Sequence, residues 1–160
     1  MKHIFTLLFT LFTFFAISFS AYGSSSDHHY FKINNISLPK ALYGDDELYF
    51  VEDYINAKEI NRSKKFSPGW LTIMADLRPS GRTLGVSKVE IKIIKVKNEN
   101  GDKIEEKLID IIPFDVKPDW DYTFFRDKDK VGFKTAGTYT VILQTVDAVP
   151  ICWGQIEIIL

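Results

Sequence analysis

From Phe31 onward the chain alternates apolar and polar residues with a period of two, and turn-forming residues close each run. Successive side chains of a strand point to opposite faces, so this period commits the chain to half-buried β-structure. In Trp70–Leu77, the residues Leu71, Ile73, Ala75 and Leu77 share one face. In Val86–Lys97, Val89, Ile91 and Ile93 alternate with Lys88, Glu90 and Lys92. Gly137–Val146 sets Tyr139, Val141, Leu143 and Thr145 against Thr140, Ile142, Gln144 and Val146. Further strands are expected at Leu48–Val51, Asp119–Phe125, Lys130–Phe133 and Ile151–Leu160. With no sustained amphipathic helix pattern, the expected fold class is all-β, a single antiparallel sandwich.

The connections are less uniform. Phe31-Lys32-Ile33 and Ile36-Ser37-Leu38 fall out of phase across Asn34-Asn35, and Ile93-Ile94 interrupts a second run. Both slips read as a bulge or bend within one strand. Asn98-Glu99-Asn100-Gly101-Asp102 supplies the Asn-Gly pair of a type I′ hairpin, with Gly101 free to take positive φ. The partner run, Lys103–Ile112, carries a competing helical signal: Asp102 with Glu105 resembles a capping box, and Ile104, Leu108 and Ile111 have helical spacing. The β-branched Ile109, Ile111 and Ile112 behind a hairpin turn favour a strand. Tyr54–Arg62 fits either a short helix or an ordered loop.

Residues 1–23 stand apart. Lys2 precedes an apolar run from Ile4 to Ile17, and small residues follow at Ser18, Ser20, Ala21 and Gly23. That is the layout of a secretory signal peptide, and the run of about 14 residues falls short of the ~20 that span a membrane. Cleavage is expected after Gly23, with Ser20 and Ser25 as alternatives. The expected organisation is a signal peptide at 1–23, a flexible leader at 24–29 and one β-sandwich at 30–160, secreted or periplasmic, with no integral membrane segment after cleavage. Lys+Arg 20 against Asp+Glu 21 leaves no basic excess, so nucleic acid is not an expected partner. Cys152 is the single cysteine, so an intramolecular disulfide is ruled out.

Residues with reactive side chains are few. After cleavage the only histidines are His28 and His29, and neighbours on an extended chain point apart and do not chelate together. Only cleavage after Ser25 would place His28 third, where a chain terminus can hold Cu(II) or Ni(II). Cys152, between Ile151 and Trp153, reads as a small buried apolar residue, and no Gly-x-Ser-x-Gly elbow occurs. No catalytic residue, metal or cofactor is expected. The acidic clusters Asp45-Asp46-Glu47 and Asp127 with Asp129 offer calcium-type oxygens but read as solvated turns, the second neutralised by Arg126, Lys128 and Lys130. Trp120, Tyr122, Phe124 and Phe125 form an aromatic cluster. Alternation is expected to turn Trp120, Tyr122 and Phe124 inward, and the functional alternative is a platform of Trp120, Tyr122 and Phe125 for a sugar or a protein. Asn35-Ile36-Ser37 and Asn61-Arg62-Ser63 are glycosylation sequons.

Phe133-Lys134-Thr135-Ala136-Gly137-Thr138-Tyr139-Thr140-Val141 resembles the Gly-x-Tyr-x-Val entry to the penultimate strand of bacterial immunoglobulin-like and PKD-like domains. The resemblance covers Lys88–Leu160 and implies a sandwich in which Tyr139 is a corner tyrosine bonded to nearby backbone and Gly137 opens the strand. Val141 stands where antibody-type domains carry cysteine, and Thr135 where they often carry aspartate. Such sandwiches host many functions, so the implication stops at architecture. The expected function is an exported, non-enzymatic module that binds protein or glycan through a sandwich edge or end loops. The alternatives are a small accessory or inhibitor protein of an envelope or secretion complex and, third, a metal-binding domain.

Overall fold

A computed structural model of the protein describes residues 45–127 and 131–160, together with the backbone of two short strands between 30 and 39. The expected signal peptide and leader, His28, His29, Asn35 and Asp129 lie outside the described residues. The strands in chain order are β1 (Tyr30–Ile33), β2 (Ile36–Pro39), β3 (Glu47–Val51), β4 (Asp53–Ile55), β5 (Lys58–Ile60), β6 (Lys65–Phe66) and β7 (Gly69–Trp70). There follow β8 (Thr72–Asp76), β9 (Lys88–Lys97), β10 (Lys103–Asp115), β11 (Tyr122–Phe125), β12 (Gly132–Phe133), β13 (Gly137–Thr145) and β14 (Pro150–Ile158). Among the described residues a single 3₁₀ turn, Arg78–Ser80, interrupts them. Among the described residues no helix is long and apolar enough to cross a membrane.

The protein is all-β. Its largest sheet has the order β10-β9-β13-β14-β6 and a second has the order β11-β8-β3, while β12-β7, β4-β5 and β1-β2 form two-stranded pairs. All of these pairings are antiparallel except β14 with β6. Phe50, Ile73, Ala75 and Phe125 from the three-stranded sheet join Val89, Ile91, Ile93, Ile112, Val141, Leu143, Ile156 and Ile158 from the five-stranded sheet in one buried cluster, an arrangement compatible with a β-sandwich. Each large side chain buried there contributes about 1.5–3 kcal/mol relative to an exposed one.

Five local expectations change. The phase slip at Asn34-Asn35 marks a chain reversal, since β1 and β2 pair antiparallel from Tyr30↔Pro39 to Ile33↔Ile36. Tyr54–Arg62 is neither helix nor loop but holds all of the β4–β5 hairpin except Asp53, and its central residues Asn56 and Ala57 both take positive φ, 51° and 59°. The run Trp70–Leu77 divides at Leu71: β7 pairs with β12, whereas β8 lies between β3 and β11. At Ile93-Ile94 the register of β9 against β13 is unbroken, and the extra residue is Ile109 on β10, between Leu108↔Ile94 and Asp110↔Ile93. Ile93 therefore enters the main core while Ile94 packs with Ile142 on the opposite face.

The turn at Gly101 is the fifth. Gly101 takes positive φ, 83°, but Asn100 does not. The Asn98 N–H donates to the Asp102 carbonyl at 3.0 Å, and the Gly101 N–H donates to the Asn98 carbonyl at 3.1 Å. The result is a three-residue loop with Gly101 in the left-handed position, not a two-residue type I′ turn. The Asn98 side chain enforces it by accepting the N–H groups of Asn100 and Asp102. The segment after it is strand, not helix, and β10 continues through Pro113, which a sheet-edge strand tolerates.

Candidate functional site

On β11 the alternation holds with its faces reversed. Thr123 and Phe125 are buried, while Tyr122 is half-buried and Phe124 exposed. Phe125 packs beside Phe114 with ring centroids 5.1 Å apart, so it belongs to the core and not to a platform. Trp120 is half-buried, packs against the same core and accepts the Leu84 N–H at its carbonyl. The outward face is covered by the β4–β5 hairpin: Tyr54 lies against Phe124 at 4.8 Å, and Tyr49, Val51 and Met74 are buried beneath with Tyr54 and Tyr122 packed on them.

The carboxylate of Glu59 helps to fasten that hairpin. Glu59 Oε1 accepts the Tyr49 hydroxyl at 2.6 Å and the Tyr122 hydroxyl at 2.7 Å. The guanidinium of Arg62 lies 3.7 Å over the Tyr49 ring and that of Arg78 lies 4.2 Å over the Tyr122 ring, each positioned by an acid, Glu47 or Asp76. Burial, reinforced by the bond to Glu59, holds the Tyr49 hydroxyl well above its ordinary range. Burial also works against ionised Glu59, but the two tyrosine hydroxyls and the charges of Arg62 and Arg78 outweigh it and keep its carboxyl below the free value of 4.5.

A depressed carboxyl pKa contributes stability above the unfolded-state value and loses it as pH falls through the lower folded value. Glu59→Gln should cost roughly 1 kcal/mol at neutral pH, the scale of a solvent-accessible charged hydrogen bond. Urea unfolding should show the gap from the parent closing as pH falls from 7 to 3. A gap unchanged across that range would mean that the Glu59 charge is not what fastens the hairpin.

Beside this network runs a groove of ≈ 640 Å³ between β3 and β14. Leu48, Tyr49, Phe50, Arg62, Trp153 and Gln155 are among its lining residues. The two strands meet where Gly154 faces Leu48, and a Cβ on Gly154 would stand 1.9 Å from the Leu48 carbonyl oxygen. The Phe50 carbonyl accepts the Ser63 N–H at 3.3 Å, on the edge of β3 away from β8. Alternation puts the peptide groups of Leu48 on the same edge. The Glu157 N–H donates to the Lys64 carbonyl at 2.9 Å, away from β13, so those of Gln155 and Trp153 face the groove from the other side. Because β6 pairs only with Glu157 and Ile158, the groove lies alongside the part of β14 that β6 does not reach.

The remaining sequence candidates serve packing. The buried Tyr139 donates its hydroxyl to the Thr135 carbonyl at 2.7 Å and lies 2.7 Å from the Thr135 hydroxyl. Gly137 has φ 138°, and a Cβ there would stand 2.5 Å from the Lys97 carbonyl oxygen. Cys152 is fully enclosed, and burial pushes its thiol far up, which keeps it protonated. The Asp46 carboxylate, inaccessible to solvent, is held by Arg82 and by the Ser80 N–H, and Glu47 pairs with Arg62. Among the described residues no three His, Cys, Asp or Glu side chains are placed to hold a metal ion.

Sequence reasoning missed Glu59, Arg62, Arg78 and the groove. Glu59 lies 10 and 63 residues from its two tyrosine partners, a separation that no local pattern encodes. Compared with protein families, with curated proteins and with solved structures, the chain has no match.

Proposed function

We propose that the protein is an exported, non-enzymatic binding module of immunoglobulin-like sandwich architecture that receives an extended segment of a partner protein at the β3/β14 edge. The observation that carries this reading is the ≈ 640 Å³ groove with strand edges on both sides. An extended segment laid along a strand edge draws affinity from main-chain hydrogen bonds and selectivity from alternate side-chain pockets. Its volume falls within the ~300–1,000 Å³ of ordinary ligand sites. The architecture is supported by two sheets around one core and by the bond of Tyr139 to the Thr135 backbone. Export is supported by the order of Lys2, the apolar run Ile4–Ile17 and the small residues after it.

The test is amide NMR of the protein with a library of β-prone peptides. Binding peptides should shift the amides of Leu48 and Gln155 and slow their hydrogen exchange. Proline at alternate peptide positions should abolish binding, because it removes the donors that strand addition uses. A library that leaves these two amides unmoved, or peptides indifferent to proline, would overturn the proposal.

A further inference from the structure

A second site lies apart from that groove, at the end of β7. Trp70 is 49% exposed, although it is a large aromatic residue in a strand. It pairs across the ladder with Gly132, and a Cβ on Gly132 would stand 2.4 Å and 2.6 Å from Cζ3 and Cε3 of the indole. The glycine thus lets the benzo portion of the ring lie against its backbone, fixing the ring by contact on one side. The indole also borders a cavity of ≈ 150 Å³ whose polar residues are Glu52, Asp53, Thr72, Arg126 and Asp127. Two of the carboxylates are held in place. Asp53 is paired with Arg126 at 3.0 Å and accepts the Tyr54 N–H at 2.8 Å, and Glu52 accepts the side-chain amide of Asn61.

We propose that this cavity is a subsite for one neutral pyranose ring of a glycan. The flat face of a pyranose carries several C–H bonds on one side, with partial positive charge that suits the negative π-face of an indole. Its rim carries hydroxyls, which carboxylates accept and a guanidinium donates to. A volume of ≈ 150 Å³ lies below the ~300 Å³ at which drug-sized sites begin, so the cavity accepts a single ring. Among the described lining residues three carboxylates stand against the one cation Arg126, a balance that selects against uronic and sialic acids. The groups held by Arg126, Tyr54 and Asn61 lose little freedom when a ligand arrives.

The experiment follows the indole N–H of Trp70 by NMR while methyl glycosides of glucose, galactose, mannose and N-acetylglucosamine, and their short oligomers, are titrated into the protein. At least one neutral glycoside should shift that signal to saturation, while glucuronate and galacturonate leave it in place. Trp70→Ala should weaken binding by about tenfold or more, equivalent to about 1.4 kcal/mol. Trp70→Phe, which keeps a ring against Gly132, should weaken it less, and this variant separates lost stacking from lost folding. The idea fails if no neutral glycoside moves the Trp70 signal, if binding survives Trp70→Ala, or if the uronates bind equally well. Amides of the β3/β14 groove should stay fixed throughout, so the outcome here is independent of peptide binding there.

Discussion

Gly154→Ala should lower the stability of the protein by about 3 kcal/mol, at or above the upper end for overpacking, and Gly154→Val should do more. The atom in the way is the Leu48 carbonyl oxygen, 1.9 Å from the added Cβ, with the Leu48 carbonyl carbon at 2.9 Å. Backbone in a paired strand cannot swing aside as a flexible side chain does, so β3 must move away from β14. Gly132 is the contrast, since the nearest atoms to a Cβ there belong to the Trp70 ring, a side chain. Alanine at a glycine with ordinary backbone angles otherwise stabilises by about 0.4–1 kcal/mol through the unfolded chain. The sign of the effect is therefore decisive. Equilibrium urea unfolding measures it, and an alanine variant as stable as the parent would mean that the two strands do not meet at this point. Because this contact adjoins the groove, a folded Gly154→Ala variant should also bind strand-forming peptides more weakly.

Arg82→Met should cost about 3–5 kcal/mol, the usual loss when one partner of a buried ion pair is removed. Asp46 has a side chain with 0% exposure and Arg82 one with 37%, so the carboxylate bears the desolvation. Arg82 approaches it through both Nε and a terminal nitrogen, and the terminal nitrogen also donates to the Ile151 carbonyl at 3.1 Å. One guanidinium thereby joins the residue preceding β3, the loop after β8 and the start of β14. Methionine retains much of the stem and removes the donors, leaving Asp46 the Ser80 N–H at 3.2 Å. Replacing both members, Arg82→Met with Asp46→Leu, should recover most of the loss, because the cost comes from an unpaired buried charge more than from the missing attraction. Chemical denaturation of the single and double variants makes the comparison. A double variant no more stable than Arg82→Met would show that the arginine acts through the Ile151 carbonyl instead.

The long strands were legible because their evidence is local. Gly137–Thr145 keeps a period of two throughout and Lys88–Lys97 keeps it up to Ile93, and both segments form strands. The β4–β5 hairpin was not legible. Its turn places Ala57 at φ 59°, a conformation for which sequence rules look to glycine or asparagine, and Asn56 alone did not mark it. Gly101 was read as the residue needing positive φ, which it is, but the loop length was set by the Asn98 side chain.

Site residues divide in the same way. Tyr139 reaches backbone four residues away, so a nine-residue motif contained the whole interaction. Tyr122 depends on Glu59 and Arg78 from distant elements, and the groove depends on β3 and β14 from opposite ends of the described chain. By itself, the sequence determined that strands would form and which residues within each would share a face, since a two-residue repeat is a property of the local backbone. Only the tertiary structure decided which face turned inward. On β11, Phe125 found Phe114 while Tyr122 and Phe124 met the β4–β5 hairpin, reversing the expected faces without altering the alternation. It also decided which strand edges border the groove, because that depends on where distant strands come to rest.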